Sequence, residues 1–520
     1  MHWWQTGILY QLYPRSFQDS DGDGIGDLKG IIERLPYLAE LGVDAVWLSP
    51  IFVSPMADFG YDIADYCTVD PLFGTVRDFD ALLAAAHARG IKVLLDLVPN
   101  HTSERHPWFV ESRSSRDHPK RDWYIWRDAA PGGGAPNNWL SEFGGSVWAF
   151  DEATGQYYYH AFLREQPDLN WRNPQVRAAI HDVMRFWLKR GVDGFRVDAI
   201  WHLIKDEAFR DNPRNRDFRA GDPDYKRLSP LHSTDRPEVH DAIRGLRAVI
   251  DEFPDRLLIS EAYVPVEKLA AYYGPDLAGA HLPFNFALIE TPFAPRAIAA
   301  LIERYERALP QGGWPNWVMG NHDRPRLASR IGAANARLAA MLLLTLRGTP
   351  TLYYGDEIGI RQVDIPPDRV RDPAAAHVPG RDGARTPMQW DASRFAGFST
   401  QEPWLPLGDV AAINVARERD DPGSLLNLYR QLIALRRTSA ALNRGSYLTL
   451  AVSDETFAYL RQADGEDIVV ALNFSDATAS VPVPGPGTMW LATNGLEAGG
   501  AVSGSITLPP RSGVVIALTS

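Results

Sequence analysis

Eight short apolar runs recur over the first three quarters of the chain, at residues 8–13, 45–48, 93–98, 195–197, 257–259, 282–286, 317–319 and 351–354. Between many of them lie patterns with apolar residues three and four apart, at 28–41, 79–88 and 176–189, the spacing of a helix with one buried face. Strand and helix in alternation argue for parallel βα units. The uneven gap is 99–194, which is rich in Trp, Tyr, Gly, Pro and Asn and contains the glycine cluster 131–138 (PGGGAPNN). An insertion of that length reads as a subdomain on a loop-bearing face. Past a helical pattern at 424–437 the chain turns to short β-type runs at 447–450, 456–460, 468–472, 489–491 and 513–518, an antiparallel β domain. The expected partition is 1–100 with 171–440, an inserted 101–170, and a C-terminal 441–520. No internal repeat is visible.

Four of the strand-like runs end in polar groups: 96–101 (DLVPNH), 194–199 (GFRVDA), 259–263 (ISEAY) and 318–323 (VMGNHD). Side chains gathered from the C-terminal ends of different strands are how a (β/α)8 TIM barrel builds an active site. The fold expected is therefore α/β, a (β/α)8 barrel with an inserted subdomain after strand 3 and a C-terminal antiparallel β domain. Cleaving a glycosidic bond with retention needs two carboxyls roughly 5–5.5 Å apart, a nucleophile and an acid. Asp198 and Glu261 are the candidates. Arg196, two residues back on the same strand, points the same way as Asp198 and would keep it ionised. Glu261 ends an apolar run, where partial burial would keep it protonated. Asp323 would be a third carboxylate on the sugar, with His101 and His322 as hydrogen-bonding groups. Each motif alone has a bland alternative: an Asp after a strand is commonly a helix cap, and an Asn-His-Asp run is commonly a turn. Four of them in order, each at a strand end, are not explained that way.

The order and wording of these stretches resemble the alpha-amylase family of glycoside hydrolases, and within it the alpha-glucosidase and oligo-1,6-glucosidase branch, over almost the whole chain. The resemblance implies that Asp198 is nucleophile, Glu261 general acid/base and Asp323 transition-state stabiliser, with Arg196, His101 and His322 at the sugar. Residues 60–62 (GYD) resemble the stretch whose tyrosine, here Tyr61, stacks on the terminal glucose and whose aspartate, here Asp62, binds its outer hydroxyls. Residues 381–390 (RDGARTPMQW) resemble the segment whose arginine, Arg381 or Arg385, pairs with that aspartate and closes the pocket, making the enzyme exo-acting. Phe143 and Phe162 read as pocket aromatics. Ala199 follows the nucleophile, where the branch carries valine with alpha-1,6 specificity and a smaller residue with alpha-1,4. The activity implied is a retaining alpha-glucosidase acting on short alpha-glucosides, with transglucosylation. Its alternatives are an oligo-1,6-glucosidase, a sucrose hydrolase or isomerase, a trehalose synthase or a glucosyltransferase. A non-catalytic relative of the transporter heavy chains is disfavoured, because the chain keeps all three acids.

The loop 19–27 (DSDGDGIGD) places carboxylates at alternate positions with glycines between, the layout of a hard-cation loop. It is not an EF-hand, since Gly30 stands where that motif needs glutamate. The resemblance implies structural Ca2+ or Mg2+ held by Asp19, Asp21, Asp23, the Ile25 carbonyl and Asp27, with no organic cofactor.

Composition agrees with this reading. The chain has 520 residues and is 45% apolar, too long for one ordinary domain and able to fill a large core. A formal net charge of -12 disfavours nucleic acid or anionic membrane as a partner and suits a neutral oligosaccharide. Sixteen Trp and nineteen Tyr offer aromatic faces to sugar rings. Cys67, the single cysteine, excludes an intramolecular disulfide and reads as a small buried apolar residue. Residues 1–7 (MHWWQTG) lack the pattern of a signal peptide, so the expected location is cytoplasmic.

Overall fold

In the computed structural model, which describes residues 1–284, 286–376, 380–494, 496 and 498–519, the eight runs become strands. They are β1 (Leu9–Leu12), β2 (Ala45–Leu48), β3 (Lys92–Leu97), β4 (Gly194–Val197), β5 (Leu257–Glu261), β6 (Leu282–Phe284), β7 (Asn316–Val318) and β8 (Thr349–Tyr353). All pair in parallel, in the order β6-β5-β4-β3-β2-β1-β8-β7. β6 and β7 lie against each other, so the sheet curls into a nearly closed barrel. The strand expected at 282–286 ends at Phe284, and Asn285 lies outside the described residues.

The alternation of side chains along each strand divides the core in two. Leu9, Ala45, Trp47, Leu94, Leu257, Ile259, Leu282, Phe284 and Val318 form one cluster that Trp4 joins, the filling of the barrel. Their neighbours Tyr10, Val46, Leu48, Val93, Leu95, Phe195, Val197, Leu258 and Trp317 belong to the large cluster shared with the helices. Counting on by twos from the filling residues reaches Gln11 on β1, Asp96 on β3 and Glu261 on β5. The polar groups of the mouth are the last inward positions of the strands.

Helix boundaries follow local chemistry. Leu28–Leu41 begins where the Asp27 side chain accepts from Gly30 N and ends at left-handed Gly42. The helix expected at 79–88 starts earlier, at Val76, because Thr75 and Asp78 form a capping box. The inserted segment carries the helix Pro107–Ser114 and a three-stranded antiparallel sheet of Trp126–Arg127, Gln156–Tyr159 and Trp148–Asp151. The C-terminal sheet has six strands, Ser446–Val452, Thr456–Ala463, Glu466–Asn473, Ser512–Leu518, Gly487–Ala492 and Ala501–Val502, in that spatial order. A separate antiparallel pair, Ala479–Pro482 with Ser505–Leu508, lies outside the β-type runs expected from the sequence. Arg436, on the helix Leu425–Thr438, donates to the carbonyls of Leu344 and Leu346 at 3.0 and 2.9 Å, and Arg461 on the strand Thr456–Ala463 joins the C-terminal sheet to the barrel by donating to the Thr345 carbonyl. Cys67 is only partly covered. Among the described residues no helix is long and apolar enough to cross a membrane.

Candidate active site

Register builds the centre of the mouth. Asp96 on β3 is the ladder partner of Arg196 on β4, and paired residues of neighbouring strands face the same way, so both point into the barrel. The Arg196 guanidinium is fully buried and meets three carboxyls: Nη1 lies 2.8 Å from Asp96 Oδ1 and 2.6 Å from Asp198 Oδ1, and Nη2 lies 2.7 Å from Glu261 Oε2. Arg196 lies beside Asp198, as expected, and also bridges to Glu261, the second candidate catalytic acid. Ala199, whose backbone is left-handed (φ 46°), donates its N–H to the same Glu261 oxygen at 3.0 Å, which ties the two carboxyls through the backbone as well.

Three carboxyls around one guanidinium in an enclosed site favour retention of a proton. Burial pushes Asp198 well above the usual carboxylate range, Arg196 pulls it down, and Glu261 and Asp96 push it up again. Asp96 is pushed up to about 6 by burial against the pull of Arg196. Arg196 thus favours the ionised form of Asp198, as expected, but does so against burial and two neighbouring carboxyls.

Asp323 lies across the mouth. Its carboxyl receives Arg385 Nη2 at 2.8 Å and Arg381 Nη1 at 3.2 Å. Burial opposes its ionisation, yet His322 and the two arginines hold it well below the usual range. Burial also lowers His322 to about 3, so at neutral pH the imidazole is uncharged and the arginines carry the effect. His322 does not line the cavity. Its Nδ1 meets Gln11 Nε2 at 2.6 Å and its Nε2 meets the Tyr61 hydroxyl at 2.9 Å, and the two rings stack with centroids 5.5 Å apart. It therefore orients Tyr61, whose hydroxyl also donates to Asp96 at 3.0 Å. His101 does line the cavity, is lowered to about 4 by burial and meets Gln166 Nε2 at 3.1 Å.

The closed end is where the structure departs most from the sequence reading. Arg381 pairs with an aspartate, but with Asp58, at 2.8 Å, and not with Asp62. Asp62 is fully buried outside the cavity lining, accepting from Ser54 Oγ, Ala57 N and Asp58 N, each at 2.9 Å. It is a turn-capping carboxyl, pushed up to about 6 by burial, and the cap it makes presents Asp58 to the cavity. Arg381 is gripped from behind by Asp372, with Nε at 2.9 Å from Oδ2 and Nη2 at 2.7 Å from Oδ1. Of the two arginines left open by the sequence, Arg381 is thus the gate residue, while Arg385 donates to the His322 carbonyl at 3.0 Å and to Asp323. Asp58 and Asp372 were missed. A carboxyl three residues before Tyr61 was visible in 57–62 (ADFGYD), but only the turn geometry says which of the two aspartates is spent on the backbone.

The remaining lining completes one cavity of about 980 Å3 that contains Asp58, Tyr61, His101, Phe143, Phe162, Asp198, Ala199, Glu261, Asp323 and Arg381. Phe143 lies under Arg381, 5.0 Å from the guanidinium carbon, and 5.8 Å from Phe162. Also unforeseen are Trp201, Tyr263 and Phe286, the last two stacked with centroids 4.3 Å apart on the outer wall.

In the loop after β1, one carboxylate oxygen each from Asp19, Asp21 and Asp27 lie within 4.8 Å of one another. Asp23 is outside this group and accepts from Ile25 N at 2.8 Å; burial and then the charges of Asp21, Asp19 and Asp27 push its carboxyl up. Asp27 serves twice, since it also caps the helix Leu28–Leu41.

Comparison with known proteins identifies the family. The catalytic domain of the alpha amylases matches residues 11–445, and a domain of unknown function matches 446–515. A probable alpha-glucosidase of Rhizobium meliloti (strain 1021) is 43% identical over 93% of this chain and 91% of its own. An oligo-1,6-glucosidase of Heyndrickxia coagulans is 40% identical over 93% of this chain and 94% of its own. The crystal structure of an alpha-glucosyl transfer enzyme, 40% identical, covers both chains completely with a TM-score of 0.95. With a family match over most of its length and relatives of this similarity, the chain belongs to the alpha-amylase family of glycoside hydrolases.

Proposed function

We propose that the protein is a retaining, exo-acting alpha-glucosidase that releases glucose from the non-reducing end of short alpha-glucosides. The observation that carries this reading is the Arg196 bridge. Two carboxyls held on the two arms of one guanidinium fit the short spacing of a retaining pair, roughly 5–5.5 Å, better than the wider spacing that leaves room for an attacking water. Glu261 donates its proton to the glycosidic oxygen as the Asp198 carboxylate bonds to the anomeric carbon, and the leaving sugar departs as an alcohol. Water then attacks the same carbon, Glu261 takes its proton, and Asp198 leaves as carboxylate with glucose in the original configuration. A sugar hydroxyl in place of water gives transglucosylation, and the likeness to an alpha-glucosyl transfer enzyme keeps that branch in view. The Asp58–Arg381 pair supports exo-action by closing the pocket behind the terminal glucose. A panel of maltose, isomaltose, sucrose, trehalose and longer maltodextrins, with products resolved by chromatography, tests the reading. Rapid fragmentation of long chains into large pieces would overturn it.

The linkage proposed is alpha-1,4. Ala199 lines the cavity beside Asp198, and a valine there would add two methyl groups on the leaving-group side. Ala199→Val is expected to weaken maltose hydrolysis more than isomaltose hydrolysis by about 1–3 kcal/mol in kcat/KM. Strain from a β-branched residue at positive φ acts on both substrates, so the ratio isolates the pocket. A parent that prefers isomaltose, or an unchanged ratio in the variant, refutes the linkage.

The donor set of Asp19, Asp21 and Asp27, all hard oxygens on a glycine-bearing loop, suits Ca2+ or Mg2+, which would neutralise the repulsion felt by Asp23 and steady the cap of Leu28–Leu41. Chelation is therefore expected to lower the melting temperature more than it lowers activity at low temperature. An unchanged melting curve after verified metal removal would exclude a structural ion.

A further inference from the structure

We propose that Arg15 is a positioning residue for the closed end of the pocket: its guanidinium, seated against the Phe59 and Trp404 rings, holds the turn that aims Asp58 at Arg381. The inference deepens the alpha-glucosidase reading and rests on it.

Arg15 belongs to the short 3-10 turn Pro14–Ser16 that follows β1. Neither it nor Phe59 nor Trp404 lines the cavity. The residue is 8% exposed, yet among the described residues its Nε has no hydrogen-bond partner and no ion pair involves its guanidinium. Burial pulls the group down from its ordinary range. Buried charges are ordinarily paired, so an unpaired one needs another source of attraction. Aromatic faces supply it. The guanidinium carbon lies 5.3 Å from the Phe59 ring centroid and 5.1 Å from that of Trp404, and the two rings are themselves 5.5 Å apart. A cation at these distances from an aromatic face is attracted to it, most strongly where water is excluded.

Phe59 is where that contact acts on the pocket. It follows Asp58 directly and carries φ 50°, a conformation bulky residues avoid and keep only where their surroundings impose it. Arg385 covers the same ring, its guanidinium carbon 5.8 Å from the centroid. The notch that receives the ring is itself braced. The Arg15 carbonyl accepts from Gly26 N at 2.8 Å, and Trp404 N donates to the Gly24 carbonyl at 3.0 Å. Trp404 Nε1 donates to Ser16 Oγ at 3.1 Å, and that hydroxyl donates to the Arg385 carbonyl at 2.5 Å. One residue before the clasped ring, the Asp58 carboxyl meets Arg381 at 2.8 Å. Arg15 thus acts on the terminal glucose through Phe59 and Asp58 without touching it.

The test is a double-mutant cycle. Arg15→Met keeps a long side chain and removes the charge; kcat/KM for 4-nitrophenyl alpha-glucoside is measured in the parent, Arg15→Met, Asp58→Asn and the double variant, with a melting curve for each. Arg15→Met is expected to cut kcat/KM roughly tenfold in the parent and less than about twofold once Asp58 is already Asn, because one residue acts through the other. A merely structural role would give the same loss in both backgrounds. Equal losses, or a single variant within about twofold of the parent, would overturn the inference while leaving the proposed function standing. Should Arg15→Met not fold, Trp404→Leu removes the other side of the notch and is read in the same cycle. A parent that does not cleave the aryl glucoside would overturn the proposed function and the inference with it.

Discussion

Asp198→Asn should abolish turnover, by roughly four to six orders of magnitude if its loss resembles that of other covalent nucleophiles, without lowering the melting temperature. The second half of that expectation comes from the electrostatics of the cluster. Asp198, Asp96 and Glu261 share one buried guanidinium, and burial already pushes the Asp198 carboxyl up. A neutral amide of nearly the same volume removes a poorly compensated charge, while Arg196 keeps Asp96 and Glu261 as partners. Stability should hold or rise as activity disappears. Single-turnover cleavage of an aryl alpha-glucoside, alongside a melting curve, reads both. Glu261→Gln complements it: a substrate with a good leaving group needs little protonation to depart, whereas the incoming water still needs a base. The glucosyl-enzyme should then accumulate, and peptide mass spectrometry should find the adduct on Asp198. Activity retained in Asp198→Asn, or an adduct on another residue, sinks the assignment of roles.

How far the sequence carried depended on the range of the physics involved. Strands and helices were legible because period-two and helical patterns are local; the 28–41 pattern coincides with the helix Leu28–Leu41, bounded by Asp27 and Gly42. That Asp198, Glu261 and Asp323 line one cavity was legible because strand ends of a barrel converge. What each polar group is spent on was not. Arg196 next to Asp198 suggested a pair, but the contact with Glu261 depends on the adjacency of β4 and β5, and that with Asp96 on the register of β3. His322 looked like a sugar contact, yet Gln11 and Tyr61 occupy both its ring nitrogens, and no local pattern announces a partner 311 residues away in sequence.

The two aspartates of residues 57–62 allow the correction at the closed end to be decided by experiment. Asp58→Asn is expected to cut kcat/KM for maltose by about 10²- to 10³-fold, corresponding to about 3–4 kcal/mol, the scale of breaking a buried charge pair from one side. Arg381 keeps Asp372 behind it and Asp323 beside it, so the guanidinium stays in place; what is lost is the charged floor of the pocket. The effect should therefore fall on substrate use far more than on the melting temperature. Asp62→Asn is expected to behave in the opposite way. Both Asp62 oxygens accept hydrogen bonds, one from Ala57 N and the other from Ser54 Oγ and Asp58 N, and an amide can accept through only one of its two ends. One orientation turns an NH2 against the Ala57 N–H, the other against Ser54 and Asp58. Either leaves a buried donor unsatisfied, at a cost of about 1–3 kcal/mol, and the damage should appear first as a lower melting temperature. Measuring kcat/KM and thermal unfolding for both variants separates the roles. If Asp62→Asn loses substrate recognition at full stability while Asp58→Asn remains active, the pairing of Arg381 with Asp58 is not what closes the pocket, and the turn carboxyl would have to be the sugar contact after all.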